Sequence, residues 1–127
     1  MKLKVKTLSK KQIIDITEEV QITLPNKNGM CNIFTTHTTC ALTTADLDPG
    51  TAEDMLEVFD KLLPKIDFRH PHDPAHAPDH ILSSLIGASL TVPYKKGKFC
   101  LGTWQRIVLV ELDGPREREI IVTSTHS

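Results

Sequence analysis

Three cysteines, no long apolar run and almost no net charge remove several classes of protein at once. The cysteines of this 127-residue chain, Cys31, Cys40 and Cys100, are odd in number and far apart. That argues against a disulfide framework. No CxxC pair is present, so a structural zinc knuckle is not expected either. All three thiols are expected as small buried side chains in strands, and the expected location is the cytoplasm. No apolar stretch approaches the ~20 residues of a bilayer span. The N-terminus, Met1-Lys2-Leu3-Lys4-Val5-Lys6, alternates charged and apolar side chains and lacks the apolar core of a signal peptide. Fifteen Lys and Arg face sixteen Asp and Glu, for a formal charge of -1. Such a balance leaves no electrostatic footprint for nucleic acid or an anionic membrane.

What the chain does have is an ordinary globular composition, 39% hydrophobic and 24% charged. That excludes a disordered chain, a collagen and a coiled coil. The length fits one domain over residues 1–127, burying roughly two-thirds of the surface of its unfolded chain. Lys2, Lys4 and Lys6 alternate along an edge strand, where lysines discourage unwanted pairing. Residues 12–17 read as a second strand, and Thr17 as the cap of a short helix. Residues 30–36 and 41–45 read as strands after a Pro25–Gly29 loop. Thr51 is the expected cap of a helix carrying Met55, Leu56, Phe59, Leu62 and Leu63, ended by Pro64. A His-, Pro- and Asp-rich loop covers 69–79. A second helix, 79–86, presents Ile81, Leu82, Leu85 and Ile86 on one face and stops at Gly87. Residues 89–92, 98–101, 103–112 and 118–125 are rich in β-branched side chains. The expected class is α+β: a mostly antiparallel sheet or sandwich with two principal helices.

Histidine is the anomaly. Five of six lie between His37 and His80, with His70, His72 and His76 in the loop. Imidazole is the commonest metal ligand, and an open site needs about three; read plainly, the loop is only a polar surface. His37 sits among Thr35, Thr36, Thr38 and Thr39, hydroxyls that can orient an imidazole or hold phosphate oxygens. Trp104, the only tryptophan, precedes Gln105 and Arg106; core packing is its ordinary reading. Glu111 to Arg116 surround a tight turn, read either as a hairpin with solvated charges or as an arginine that grips phosphate.

In order, His37-Thr38-Thr39-Cys40-Ala41, Asp48-Pro49, the loop to His80, Ser84-Leu85-Ile86-Gly87, Leu101-Gly102-Thr103-Trp104-Gln105 and Asp113-Gly114-Pro115-Arg116 resemble the YjbQ family, the secondary thiamine-phosphate synthases. The resemblance runs from about residue 6 to 125. It implies a compact α+β homotrimer that joins hydroxymethylpyrimidine diphosphate to a thiazole phosphate and releases pyrophosphate. It also implies a divalent metal, zinc or similar, at His37, His70 and His80, with His72 and His76 as alternatives to His70. Magnesium suits the diphosphate. Catalytic roles are expected for His37, Asp46, Gln105 and Arg116, and substrate contacts for Thr38, Thr39, Trp104 and Arg106, with Lys95, Lys96 and Lys98 as further cations for the leaving diphosphate. The chain departs from the family at Ala45-Asp46, where Asn-Glu is common, and the shorter Asp46 reaches less far. A metal-dependent hydrolase or phosphatase and a non-catalytic metal- or ligand-binding trimer are the alternative functions.

Overall fold

The protein is described over residues 1–70 and 73–126 from a computed structural model. Among the described residues, eight strands and three helices follow one another as β1 (Lys2–Lys6), β2 (Gln12–Asp15), α1 (Thr17–Gln21), β3 (Gly29–Thr35), β4 (Cys40–Ala45), α2 (Thr51–Leu62), α3 (Ala77–Ile86), β5 (Ser89–Lys95), β6 (Lys98–Phe99), β7 (Arg106–Glu111) and β8 (Glu117–His126). A single 3₁₀ turn, Pro74–His76, leads into α3. The α+β class and the two principal helices are as the sequence predicts.

The strands form two antiparallel sheets, one ordered β1-β8-β3-β5-β6 and the other β2-β7-β4. The period of two along β7 explains how they stack. Ile107 and Leu109 join a core with Cys31, Ile33, Leu42, Ile120 and Val122. Val108 and Val110 point the other way, into a second core with Leu112, Ala41 and Leu82 of α3, against which Phe59 and Leu63 also pack. The three-stranded sheet is therefore buried on both faces. That is why residues 107–110 are an unbroken apolar run rather than an alternating one.

Several local expectations are corrected. Thr17 is not a cap: it is the first residue of α1, and its amide and hydroxyl both donate to Asp15 Oδ1 at 3.0 and 2.7 Å. The Asp15 carboxylate takes up the orphan amide instead, so β2 ends there. Gly50 rather than Thr51 caps α2, with φ of 89°, a left-handed conformation that glycine adopts without a Cβ penalty. α3 begins at Ala77 because the Asp73 side chain accepts from the Ala75 amide at 3.0 Å and nucleates the turn early. Only part of the expected α3 face is covered: Leu82 is buried, whereas Ile81 and Leu85 are exposed. β5 runs on through Pro93 to Lys95, β6 shrinks to two residues, and β7 starts at Arg106 instead of 103. Cys31 and Cys40 are buried as expected, but Cys100 lies beyond β6 and is exposed.

The register of β4 against β7 fixes where the candidate residues lie. Cys40 pairs with Glu111 at one end and Ala45 with Arg106 at the other. The segments 36–39 and 112–118 therefore emerge at one end of the sheet. Asp46 and Trp104 emerge at the opposite end, roughly 17 Å away at the usual rise per strand residue.

Candidate functional site

At the first of those ends lies a cleft of about 660 Å³, lined by Thr36, His37, Thr38, Thr39, His76, His80, Asp113, Arg116, Glu117 and Arg118. Its floor is a buried ion pair. Glu111 is fully buried and Arg118 is 2% exposed. Arg118 Nε donates to both Glu111 oxygens, at 2.9 and 3.2 Å, and Nη2 donates to Oε2 at 2.5 Å. Nη2 also donates to the Thr39 hydroxyl at 2.8 Å and the Thr39 carbonyl at 3.1 Å. Every one of these bonds uses Nε or Nη2. Nη1 has no partner among the described residues, and the side chain lines the cleft.

The Glu111 carboxylate is fully satisfied. Besides Arg118 it accepts from the Thr7 hydroxyl at 2.7 Å and from the Leu112 and Asp113 amides at 3.0 and 3.2 Å. Burial pushes its pKa up, but the hydrogen bonds from Arg118, Thr7 and Asp113 outweigh that and hold it below the ordinary carboxylate range. Reading Glu111 as one of the solvated charges of a hairpin is therefore wrong. The charge sits in the core because a guanidinium meets it there.

Arg116 sits at the rim, half-exposed. Its Nε donates to the Asp113 carbonyl at 2.7 Å and Nη2 to the Asp113 carboxylate at 2.9 Å. Its amide donates to Thr7 Oγ1 at 2.8 Å. Gly114, which shapes this turn, has no room for a side chain: a Cβ would stand 2.4 Å from the Ser9 carbonyl and 2.8 Å from Thr7 Oγ1. The Asp113-Gly114-Pro115-Arg116 run is thus a close-packed turn that aims Arg116 at the cleft.

The histidines gather around the same cleft with unequal roles. His37 Nε2 accepts the Glu119 amide at 3.1 Å. An amide can only donate, so neutral His37 carries its proton on Nδ1. Ligation of a metal through Nε2 requires giving up that contact. His70 and His80 stack, ring centroids 4.8 Å apart, and His70 Nδ1 accepts the Asp73 amide at 3.5 Å. His76 Nε2 lies 3.5 Å from Asp73 Oδ2. His72 lies outside the described residues. Among the described residues no three His, Cys, Asp or Glu side chains are grouped closely enough, as placed, to hold a metal.

Other expected site residues lie elsewhere. Trp104 does not pack in the core. It is 69% exposed and lines a shallow hollow with Asp46, Asp48 and Arg106. Gln105 Nε2 donates to Thr44 Oγ1 at 3.1 Å, and its Oε1 accepts the Gly102 amide at 3.1 Å. Asp46 Oδ1 accepts the Asp48 amide at 2.9 Å. Arg106 is committed to carboxylates, Nε to Asp15 at 2.7 Å and Nη2 to Glu18 at 2.5 Å. One chain therefore brings His37, Thr38, Thr39, His80 and Arg116 together, with His70 stacked on His80, and leaves Asp46, Trp104, Gln105 and Arg106 at the far end. Arg118 escaped the sequence reading. Its signal was register: it occupies the inward position two before Ile120 and four before Val122, where a charge needs a buried partner.

The family model described as UPF0047 protein YjbQ-like matches residues 1–127. A UPF0047 protein of Archaeoglobus fulgidus is 41% identical over 123 residues, covering 96% of this chain and 98% of that protein. The UPF0047 protein YugU of Bacillus subtilis is 38% identical over 120 residues, with 91% of each chain covered. Among solved structures, the conserved hypothetical protein TT1486 of Thermus thermophilus superposes with a TM-score of 0.90 at 34% identity, over 98% of this chain and 99% of that one. A YjbQ/UPF0047 protein of Clostridium acetobutylicum gives 0.87 at 36%, over 98% and 99%. With a whole-length family match, close relatives and the same fold, the chain belongs to the YjbQ-like UPF0047 family.

Proposed function

We propose that the cleft binds a small phosphorylated substrate and supports secondary thiamine-phosphate synthase-like chemistry. The single observation carrying this reading is Arg118, a buried guanidinium whose Nη1 has no protein partner among the described residues and whose side chain lines the cleft. A preorganised cation of this kind needs no reorganisation when a phosphate arrives. Arg116 supplies a second guanidinium at the rim, the Thr36 and Thr38 hydroxyls supply donors, and His37 supplies an Nδ1–H.

In the reaction, the thiazole nitrogen attacks the pyrimidine methylene carbon, forming a C–N bond. The C–O bond to diphosphate breaks, and its electron pair leaves on the diphosphate oxygen. The charge that grows there is what Arg116 and Arg118 would stabilise. No proton has to move at the reacting carbon, which suits a cleft where His37 spends its Nε2 lone pair on the Glu119 amide. A zinc-type ion held by His37, His70 and His80 would supply a Lewis acid beside the diphosphate, and no step here is routed through it. Magnesium, which prefers oxygen ligands, would enter with the diphosphate.

A homotrimer in the cytoplasm belongs to the same proposal. Within one chain Trp104, Gln105 and Asp46 stand at the wrong end of the sheet for this chemistry. A neighbouring copy is the means by which they would reach a cleft. The test supplies both precursors, then each alone, and follows pyrophosphate. Release only with both supports the synthase. Release from the diphosphate alone favours the hydrolase, and no release with tight phosphate binding favours the non-catalytic module.

A further inference from the structure

Behind the cleft stands a buried hydroxyl. Thr7, the first residue past β1, is 2% exposed. It faces Arg116 and extends the β1–β8 ladder by one step, its amide donating to the Arg116 carbonyl at 2.8 Å. A regular antiparallel pair of this kind would return a bond from the Arg116 amide to the Thr7 carbonyl. Here the Arg116 amide donates to Thr7 Oγ1 instead, at 2.8 Å. Three residues on, the Lys10 carbonyl accepts the Gly114 amide at 2.9 Å, so the same segment backs the turn that carries Arg116.

The Thr7 hydroxyl meets three groups and has one proton. An amide can only donate, so Oγ1 accepts from Arg116. The Arg116 carbonyl, 3.0 Å away, already has the Thr7 amide. Glu111 Oε1 is nearer, at 2.7 Å, and belongs to an ionised carboxylate, so the proton goes there. One oxygen thus links the backbone of Arg116 to the carboxylate that holds Arg118. The two arginines match in what they leave open. Each binds protein through Nε and Nη2, and in each Nη1 has no partner among the described residues. Both side chains line the cleft.

We propose that Thr7 is a positioning residue: its hydroxyl sets Arg116 against Arg118, so that the two guanidinium groups meet a diphosphate as one unit. The inference rests on the reading of the cleft as a phosphate site. Two cations held in place before the ligand arrives have little ordering left to undergo, and that raises affinity without any contact from Thr7 itself.

Calorimetric titration of inorganic pyrophosphate into the full chain tests this. Thr7→Val removes the hydroxyl, leaves the Arg116 amide without its acceptor and should weaken binding at least ~10-fold, about the loss of one charge-assisted hydrogen bond. Thr7→Ser keeps the hydroxyl and should bind as the parent does. In an Arg116→Ala background Thr7→Val should add no further loss, because it acts through Arg116, whereas general damage to the fold would add to it. If Thr7→Val unfolds, Thr7→Ser and amide exchange in the parent carry the test. The Arg116 amide, on an exposed residue, should be protected by Oγ1. The proposal is overturned if Thr7→Val binds as the parent does, if a folded Thr7→Ser loses affinity, if the losses add in the double variant, or if the Arg116 amide exchanges freely. Failure of the phosphate reading looks different: the parent then binds no pyrophosphate, or Arg116→Ala binds it equally well, and the role of Thr7 falls with it.

Discussion

Glu111→Gln puts the buried pair to the sharpest test. The change keeps the shape of the side chain and removes its charge, leaving Arg118 at 2% exposure with no counter-ion. Removing one partner of a buried pair costs ~3–5 kcal/mol. The unfolding entropy of a chain this long is on the order of 0.27 kcal/mol/K, so the expected loss in Tm is about 11–19 °C. The acid limb should change as well. Because the Glu111 pKa is held below its ordinary value near 4.5, its contribution is complete above that pH and is lost as pH falls through the lower folded value. In Glu111→Gln that part of the acid-side slope disappears. The double variant Glu111→Leu with Arg118→Met should be less damaged than Glu111→Gln, because neither charge is then left alone in the core. Calorimetry at pH 7 and a urea series from pH 3 to 7 supply the numbers. A Glu111→Gln loss under ~1 kcal/mol, with an unchanged acid limb, would refute the claim that this carboxylate offsets a buried cation.

Further outcomes follow from the same geometry. Gly114→Ala must push the Ser9 carbonyl or Thr7 aside, so it should lower Tm markedly and weaken phosphate binding, because the turn that aims Arg116 shifts with it; an unchanged Tm contradicts the close packing. Native protein should give one fast-reacting thiol, Cys100, while Cys31, pushed up to about 11 by burial, and Cys40, also raised chiefly by burial, stay protected until unfolding. Mass mapping after brief alkylation checks this, and label on Cys31 counts against it. Trp104→Ala should cost under ~1 kcal/mol of stability, since the ring is 69% exposed; a core-sized loss would return Trp104 to the interior.

Much of the fold was legible because it follows local chemistry. The alternating lysines of β1, the β-branched runs of β7 and β8, and the apolar spacing of α2 each report a period that burial then uses. Helix starts were less legible, since Asp15 and Asp73 act from outside the helices and Gly50 replaces a hydroxyl with a left-handed turn. In the site, the Thr-His-Thr segment and Arg116 were visible as residue types in an unusual order. Arg118 was hidden inside a strand pattern, and its meaning depends on Glu111 directly across the core. The separation of Trp104 and Gln105 from His37 was invisible for a different reason: it is a property of strand register, and motif order along the chain says nothing about which end of a sheet a motif occupies.

The central claim is that the His37–Arg116–Arg118 cleft is a phosphate site. It is tested most directly by calorimetric titration of inorganic pyrophosphate, with and without magnesium, into the parent, Arg116→Ala and Arg106→Ala. Arg116 is half-exposed at the cleft, so its loss should spare the fold, whereas Arg106 is tied to Asp15 and Glu18 at the far end of the sheet. The account predicts one site per chain, weakened at least ~10-fold in Arg116→Ala and unchanged in Arg106→Ala. Equal affinity in all three proteins, or a loss only in Arg106→Ala, would contradict it.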